Sequence, residues 1–219
     1  MTSAARLPAG VLRLVAVTDS LHGGVEELAR RGAAAVSGGA TMITLRLPGE
    51  PPRVVADAAR ALLVATTGVP LLVSGRVDVA LAVGAAGVHV APGDLPAIAV
   101  RRFAPEPFII GASVGDASQV RYAAGADFVA IGPVFSATGS ATGSATRPVE
   151  GASGLDTFSE LTKACSLPAV AIGGVSPANI GALLAAGASG VAVISALFGV
   201  ADPMAAARAF RSSLDASGR

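Results

Sequence analysis

Short apolar runs alternate along this chain with longer stretches in which apolar positions recur every three or four residues. The runs lie at 12–18, 41–46, 70–74, 87–90, 108–112, 128–131, 169–172 and 190–194. Each has strand length and little in/out alternation, the pattern of a strand covered on both faces. The stretches between and after them, 25–36, 51–64, 77–83, 95–103, 117–124, 155–164, 177–186 and 204–214, carry helical spacing. Four lead-ins repeat a Gly-Ala pair, at Gly39-Ala40, Gly84-Ala85, Gly125-Ala126 and Gly187-Ala188, where glycine suits the end of a helix. Strict β/α alternation predicts a parallel sheet. Eight units predict its closure into a (β/α)₈ TIM barrel of the α/β class, read as one domain over 1–219. An open doubly wound sheet is the alternative. It usually carries a Gly-rich turn after its first strand, and Thr-Asp-Ser-Leu-His at 18–22 is not one.

Two strand ends near the C-terminus carry the strongest functional signal. The run at 169–172 ends in Gly173-Gly174, then Ser176-Pro177, and the run at 190–194 ends in Ile194-Ser195. Paired glycines expose backbone N–H groups and let an anion approach closely. Two such ends, late in a β/α chain, make the phosphate site found in many barrels. Gly173, Gly174, Ile194 and Ser195 are therefore expected to hold a phosphorylated small molecule.

One segment breaks the rhythm. Residues 136–147 repeat Ala-Thr-Gly-Ser and end in Thr146-Arg147. The composition suits a flexible loop on the catalytic face. It reads either as a lid whose Thr146 and Arg147 clamp an anion or as a tolerated insertion.

Composition narrows the classes. A net charge of +1 with no basic cluster makes nucleic acid and anionic membrane poor partners. The longest apolar run, 190–201, is too short to span a bilayer. Residues 1–10 lack the pattern of a signal peptide. The single cysteine suits a reducing cytoplasm. Cys165 precedes the seventh strand, on the face opposite the expected site. Lys163, the only lysine, lies inside an expected helix, which argues against Schiff-base chemistry, since that needs an amine at the active face.

Side chains at strand C-termini face a barrel's site. That criterion selects Asp19, Thr44, Arg46, Ser74, Arg76, His89, Asp94, Ser113, Thr146, Arg147 and Ser195. Arg46 shares a face with Thr44 and would meet a phosphate or carboxylate, or else a structural ion-pair partner. Arg76 could instead pair with Asp78. Asp94 is either a helix N-cap or a Mg²⁺ ligand alongside substrate phosphate oxygens. His22 and His89 are the only histidines. Either could be a general acid or base, or a satisfied structural residue.

Several stretches together resemble the thiamine phosphate synthase/TenI family. They are Leu14 to Asp19, Gly75 to Ala82, Gly87 to Val90 with Asp94, Ile110 to Val114, Gly125 to Phe135, Ala171 to Gly174 with Asn179-Ile180, and Gly187 to Ser195. The match runs in register along nearly the whole chain. The resemblance implies a (β/α)₈ barrel. It also implies a reaction joining a thiazole phosphate to an aminopyrimidine methyl diphosphate, in which Mg²⁺ helps diphosphate leave and the thiazole nitrogen attacks a carbocation-like carbon. By that resemblance Arg46 binds diphosphate, Asp94 is one of two Mg²⁺ carboxylates, Ser113 lies near the leaving group, and Gly174 and Ser195 grip the thiazole phosphate. Thr146-Arg147 would stand for a Thr-Lys pair.

The chain also departs from that pattern. Thr44-Leu45-Arg46 is followed by Leu47-Pro48, where the synthase has Gln-Leu-Arg, an acid and a lysine. Ser74-Gly75-Arg76 stands where the synthase has Asn-Asp-Arg, so the second Mg²⁺ carboxylate is missing. The Xaa-Gly-Arg form is similar to the TenI branch, which tautomerises a thiazole carboxylate phosphate, but that branch's histidine is Gly115 here; His22 or His89 would have to replace it. Three readings follow: a TenI-like tautomerase, which these departures favour; an active synthase; and a non-catalytic binder of a phosphorylated thiamine precursor. A homodimer fits a barrel of this size.

Overall fold

A computed structural model describes residues 7, 8, 10–104, 106–135 and 153–218. Eight strands, β1 Leu14–Val17, β2 Met42–Leu45, β3 Leu71–Ser74, β4 Gly87–Val90, β5 Ile109–Val114, β6 Phe128–Ile131, β7 Ala169–Ile172 and β8 Gly190–Val193, form a closed barrel in chain order. Every neighbouring pair is parallel, and β1 pairs with both β2 and β8, which removes any free edge. The expected eight strands and barrel closure are both present.

Eight α-helices occupy the described connections: α1 Val25–Ser37, α2 Pro52–Ala65, α3 Val77–Val83, α4 Ala97–Phe103, α5 Gly154–Cys165, α6 Ile180–Ala185, α7 Ser195–Phe198 and α8 Pro203–Ser217. Three details differ from the sequence reading. The expected helix at 117–124 is a 3₁₀ turn, Ala117–Ala123, capped by the Asp116 side chain accepting from Ser118 N. The segment at 177–186 opens with a 3₁₀ turn, Pro177–Asn179, before α6. Short α7 follows β8 directly, within what reads as one apolar run. The glycines of all four Gly-Ala lead-ins have positive φ, from 71° at Gly84 to 110° at Gly39, as helix-to-strand turns require.

The strands are apolar on both faces because they separate two cores. Leu14, Ala16, Ile43, Leu45, Val129 and Ile131 pack outward against the helices. Val15, Val17, Met42, Leu72, Phe128, Ala130, Val170 and Ala192 fill the barrel interior. The period-two alternation is intact, but apolar side chains cover both of its faces. Outer packing is tight: a Cβ on Gly32 of α1 would stand 2.5 Å from Leu62 Cδ2 of α2.

At the N-terminal end, Asp127 accepts from Ile110 N at 2.7 Å and from Arg101 Nη2 at 2.7 Å. Arg101 also donates to Phe108 O at 2.7 Å. This buried network ties α4 to the starts of β5 and β6, far from the strand ends that build the site.

Candidate active site

The inward rows change character toward the strand C-termini. In β2 the row runs Met42, Thr44 and, one residue past the strand's end, Arg46; in β3, Leu72, Ser74; in β5, Ile109, Gly111, Ser113. These ends open into a cavity of about 410 Å³ lined by Thr44, Arg46, Ser74, His89 and Ser113 on one side. The opposite side stays apolar, from Val15, Val17, Ala130, Val170, Ile172, Ala192 and Ile194, with Gly173 at the rim. One wall, from β2 to β5, is polar and cationic. The other, from β6 through β8 to β1, is hydrocarbon.

Within the polar wall, His89 Nε2 lies 2.8 Å from Ser113 Oγ. His89 pairs with Gly111 across the β4–β5 ladder, and Ser113 is two residues further along the same face. A Cβ at Gly111 would stand 2.6 Å from His89 Nδ1 and 2.5 Å from Phe128 Cζ, so the missing side chain makes room for the imidazole. Burial pushes the His89 pKa down to about 4, partly offset by the Asp94 carboxylate. His89 is therefore neutral near pH 7 and a weak base.

Arg46 projects into the mouth, exposed, and among the described residues no carboxylate pairs with it. The structural ion pair considered for it is absent there. Leu45 and Leu47, on either side, are buried outward and fix which way the arginine faces.

Asp94 stands at the rim beside cavity-lining Ala91. Its Oδ2 accepts from Ala91 N at 2.8 Å. A Cβ at Gly75 would lie 3.3 Å from its Oδ1, so position 75 faces this carboxylate directly. Among the described residues no three His, Cys, Asp or Glu side chains gather as a metal site. The donor set is nonetheless compatible with Mg²⁺, which commonly takes one or two protein carboxylates and completes its shell with water and substrate phosphate.

Other candidates lie elsewhere. Arg76 makes a bidentate pair with Asp78, at 2.9 and 2.6 Å, so the Asp78 alternative holds; the hydrogen bond lowers the Asp78 pKa and raises that of Arg76. His22 is not among the lining residues. Its ring stacks on Phe198 of α7 with centroids 6.0 Å apart. Its Nε2 faces Asp19 Oδ1 at 3.1 Å, both atoms buried and without an aligned hydrogen bond. Cys165 ends α5 on the opposite side, and burial pushes its thiol pKa up, which suits an inert residue. Thr146, Arg147 and the 136–147 segment lie outside the described residues.

The Gly-Gly turn has a packing reason as well as a functional one. Cβ atoms at Gly173 and Gly174 would stand 2.5 Å from Pro133 Cβ and 2.6 Å from Phe135 Cβ. Gly174 O accepts from Asn179 Nδ2 at 3.0 Å. Gly173 and Ile194 line the cavity, whereas Gly174 and Ser195 are not among its lining residues. In α7 the first helical bonds run from Leu197 N and Phe198 N to Ile194 O. The Ser195 and Ala196 amides precede them, as the first amides of any helix do. The sequence reading missed the apolar wall: its residues are ordinary core types, and only the barrel's curvature makes them a binding surface.

A family model described as thiamine monophosphate synthase matches residues 14–197. The chain is 45% identical over 208 residues to a thiamine-phosphate synthase of Methanoculleus marisnigri, covering 93% of this chain and 96% of that protein. It is 44% identical over 191 residues to the thiamine-phosphate synthase of Laribacter hongkongensis, covering 86% and 88%. A solved thiamine phosphate pyrophosphorylase from Pyrococcus furiosus superimposes with a TM-score of 0.79 at 31% identity, covering 95% of this chain and 98% of that one.

Proposed function

The chain belongs to the thiamine monophosphate synthase family, and we propose from that premise that it is an active synthase, joining an aminopyrimidine methyl diphosphate to a thiazole phosphate. One observation carries this reading: the cavity is divided into a cationic polar wall and an apolar wall. A condensation of two unlike substrates needs two such surfaces facing each other.

On the polar wall, the Arg46 guanidinium would bind diphosphate oxygens, the geometry for which arginine is suited. Asp94 would hold a Mg²⁺ ion, whose charge compensates the leaving diphosphate. The His89 tautomer protonated at Nε2 donates to Ser113 and frees the Ser113 hydroxyl proton for a phosphate oxygen. The other tautomer consumes that proton. On the apolar wall, Val170, Ile172, Ala192 and Ile194 would receive the thiazole ring, with its phosphate at the backbone of 173–174 and 194–195. The methylene C–O bond breaks, its electron pair leaves with diphosphate, and the thiazole nitrogen lone pair forms the new C–N bond. Apolar surroundings keep water from capturing the cation.

The tautomerase reading, favoured from the sequence departures, needs a base able to take a carbon-bound proton. A histidine whose pKa lies at about 4 is weak for that task, and His22 faces Phe198. The family resemblance and the divided cavity together favour synthesis.

The test is direct. Purified protein, both substrates and Mg²⁺ should yield thiamine phosphate and diphosphate in equal amounts, and chelation should stop the reaction. Tight binding of thiazole phosphate without product would instead support a binder. Isomerisation of a thiazole carboxylate phosphate, followed by NMR, would support the tautomerase.

A further inference from the structure

We propose that Thr18 is a positioning residue that aims Arg46 at the diphosphate; this rests on the synthase reading of the same cavity. The regular β1–β2 ladder ends at the Val17–Thr44 pair. Beyond it, Thr18 N donates to Thr44 O at 3.0 Å. The Thr18 side chain then takes over the ladder's role. Its Oγ1 accepts from Arg46 N at 2.9 Å and donates to Arg46 O at 3.0 Å. One hydroxyl thus satisfies both backbone polar groups of Arg46, whose guanidinium has no carboxylate partner among the described residues.

Three features make this more than a packing contact. Thr18 is completely buried, so its hydroxyl has no water to compete with the Arg46 backbone. Arg46 lies one residue past the end of β2, where strand pairing no longer holds the chain. A guanidinium reaches its target through a long flexible side chain, so a shift at its Cα is carried to the charged end. Small misplacements of a binding group weaken interactions that depend on orientation.

The experiment compares wild type with Thr18→Val, which keeps the β-branched shape and removes the hydroxyl, and Thr18→Ser, which restores it. Inorganic pyrophosphate with Mg²⁺ is titrated by calorimetry, and KM is measured for each substrate. Thr18→Val should weaken pyrophosphate binding and raise KM for the pyrimidine diphosphate, each about tenfold. KM for thiazole phosphate should stay within about twofold, because that substrate is held on the opposite wall. Thr18→Ser should recover most of the loss. In an Arg46→Ala background, Thr18→Val should cause no further weakening of pyrophosphate binding, and Thr18→Ala serves as a second variant if the valine protein folds poorly. Equal changes for both substrates, additive losses in the Arg46→Ala background, or unchanged pyrophosphate binding would overturn the assignment. Wild-type protein that binds pyrophosphate but makes no product would overturn the synthase reading alone. Protein that binds no pyrophosphate would overturn both.

Discussion

His89 Nε2 and Ser113 Oγ meet at 2.8 Å on adjacent strands, over the space left by Gly111. The contact satisfies an imidazole that burial holds neutral. Its pKa falls from 6.5 to about 4, so between those values the unfolded chain binds more protons than the folded one. Stability is therefore lost as pH drops through that window, by on the order of 3 kcal/mol in total. Thermal melting of wild type should show this decline, and His89→Gln should flatten it. Ser113→Ala, which leaves Nε2 without its partner, should cost about 1–2 kcal/mol at pH 7.

Arg46→Ala should separate binding from folding. Its side chain is exposed at the mouth, so the unfolding free energy from denaturant titration should change little, within about 0.5 kcal/mol. KM for the diphosphate substrate should rise roughly 10- to 100-fold, since charge-assisted hydrogen bonds to an anion are lost. Steady-state kinetics with each substrate varied in turn checks this. Equal effects on both substrates would argue against a diphosphate-specific role.

Gly75→Asp should strengthen Mg²⁺ dependence. The new Cβ would point at the Asp94 carboxylate from 3.3 Å, and a cation between two acids is held more tightly than one beside a single acid. The φ of 69° at Gly75 is costly for most residues but tolerated best by Asn and Asp. The Mg²⁺ concentration giving half-maximal activity should fall, with a stability loss of about 1 kcal/mol. A Mg²⁺ titration of activity in both proteins is the measurement.

Asp127→Ala should destabilise without touching the site. Its carboxylate is 3% exposed and pairs with Arg101 at 2.7 Å while accepting from Ile110 N. Removing it strands a guanidinium and a buried amide, for a loss of about 3–5 kcal/mol. Urea denaturation should record that loss, while substrate KM values in the remaining folded protein stay unchanged.

The sequence by itself determined the order of elements, the parallel sheet and most of the polar wall. Fully apolar runs separated by helical spacing leave few alternatives to a closed β/α barrel, and period two places Thr44 beside Arg46 on one face. It also exposed Gly75 as a missing acid and Arg76 as a possible partner of Asp78. Only the tertiary structure decided which face of each strand turns inward, because Leu14 and Val15, or Val129 and Ala130, are equally apolar and both sides of the sheet are covered. Closure decided the rest. It curved ordinary core side chains into the wall opposite Arg46, turned His22 onto Phe198, and brought Thr18 against a backbone 28 residues away in sequence. Such contacts depend on where strands end relative to one another in space, which local periodicity does not encode.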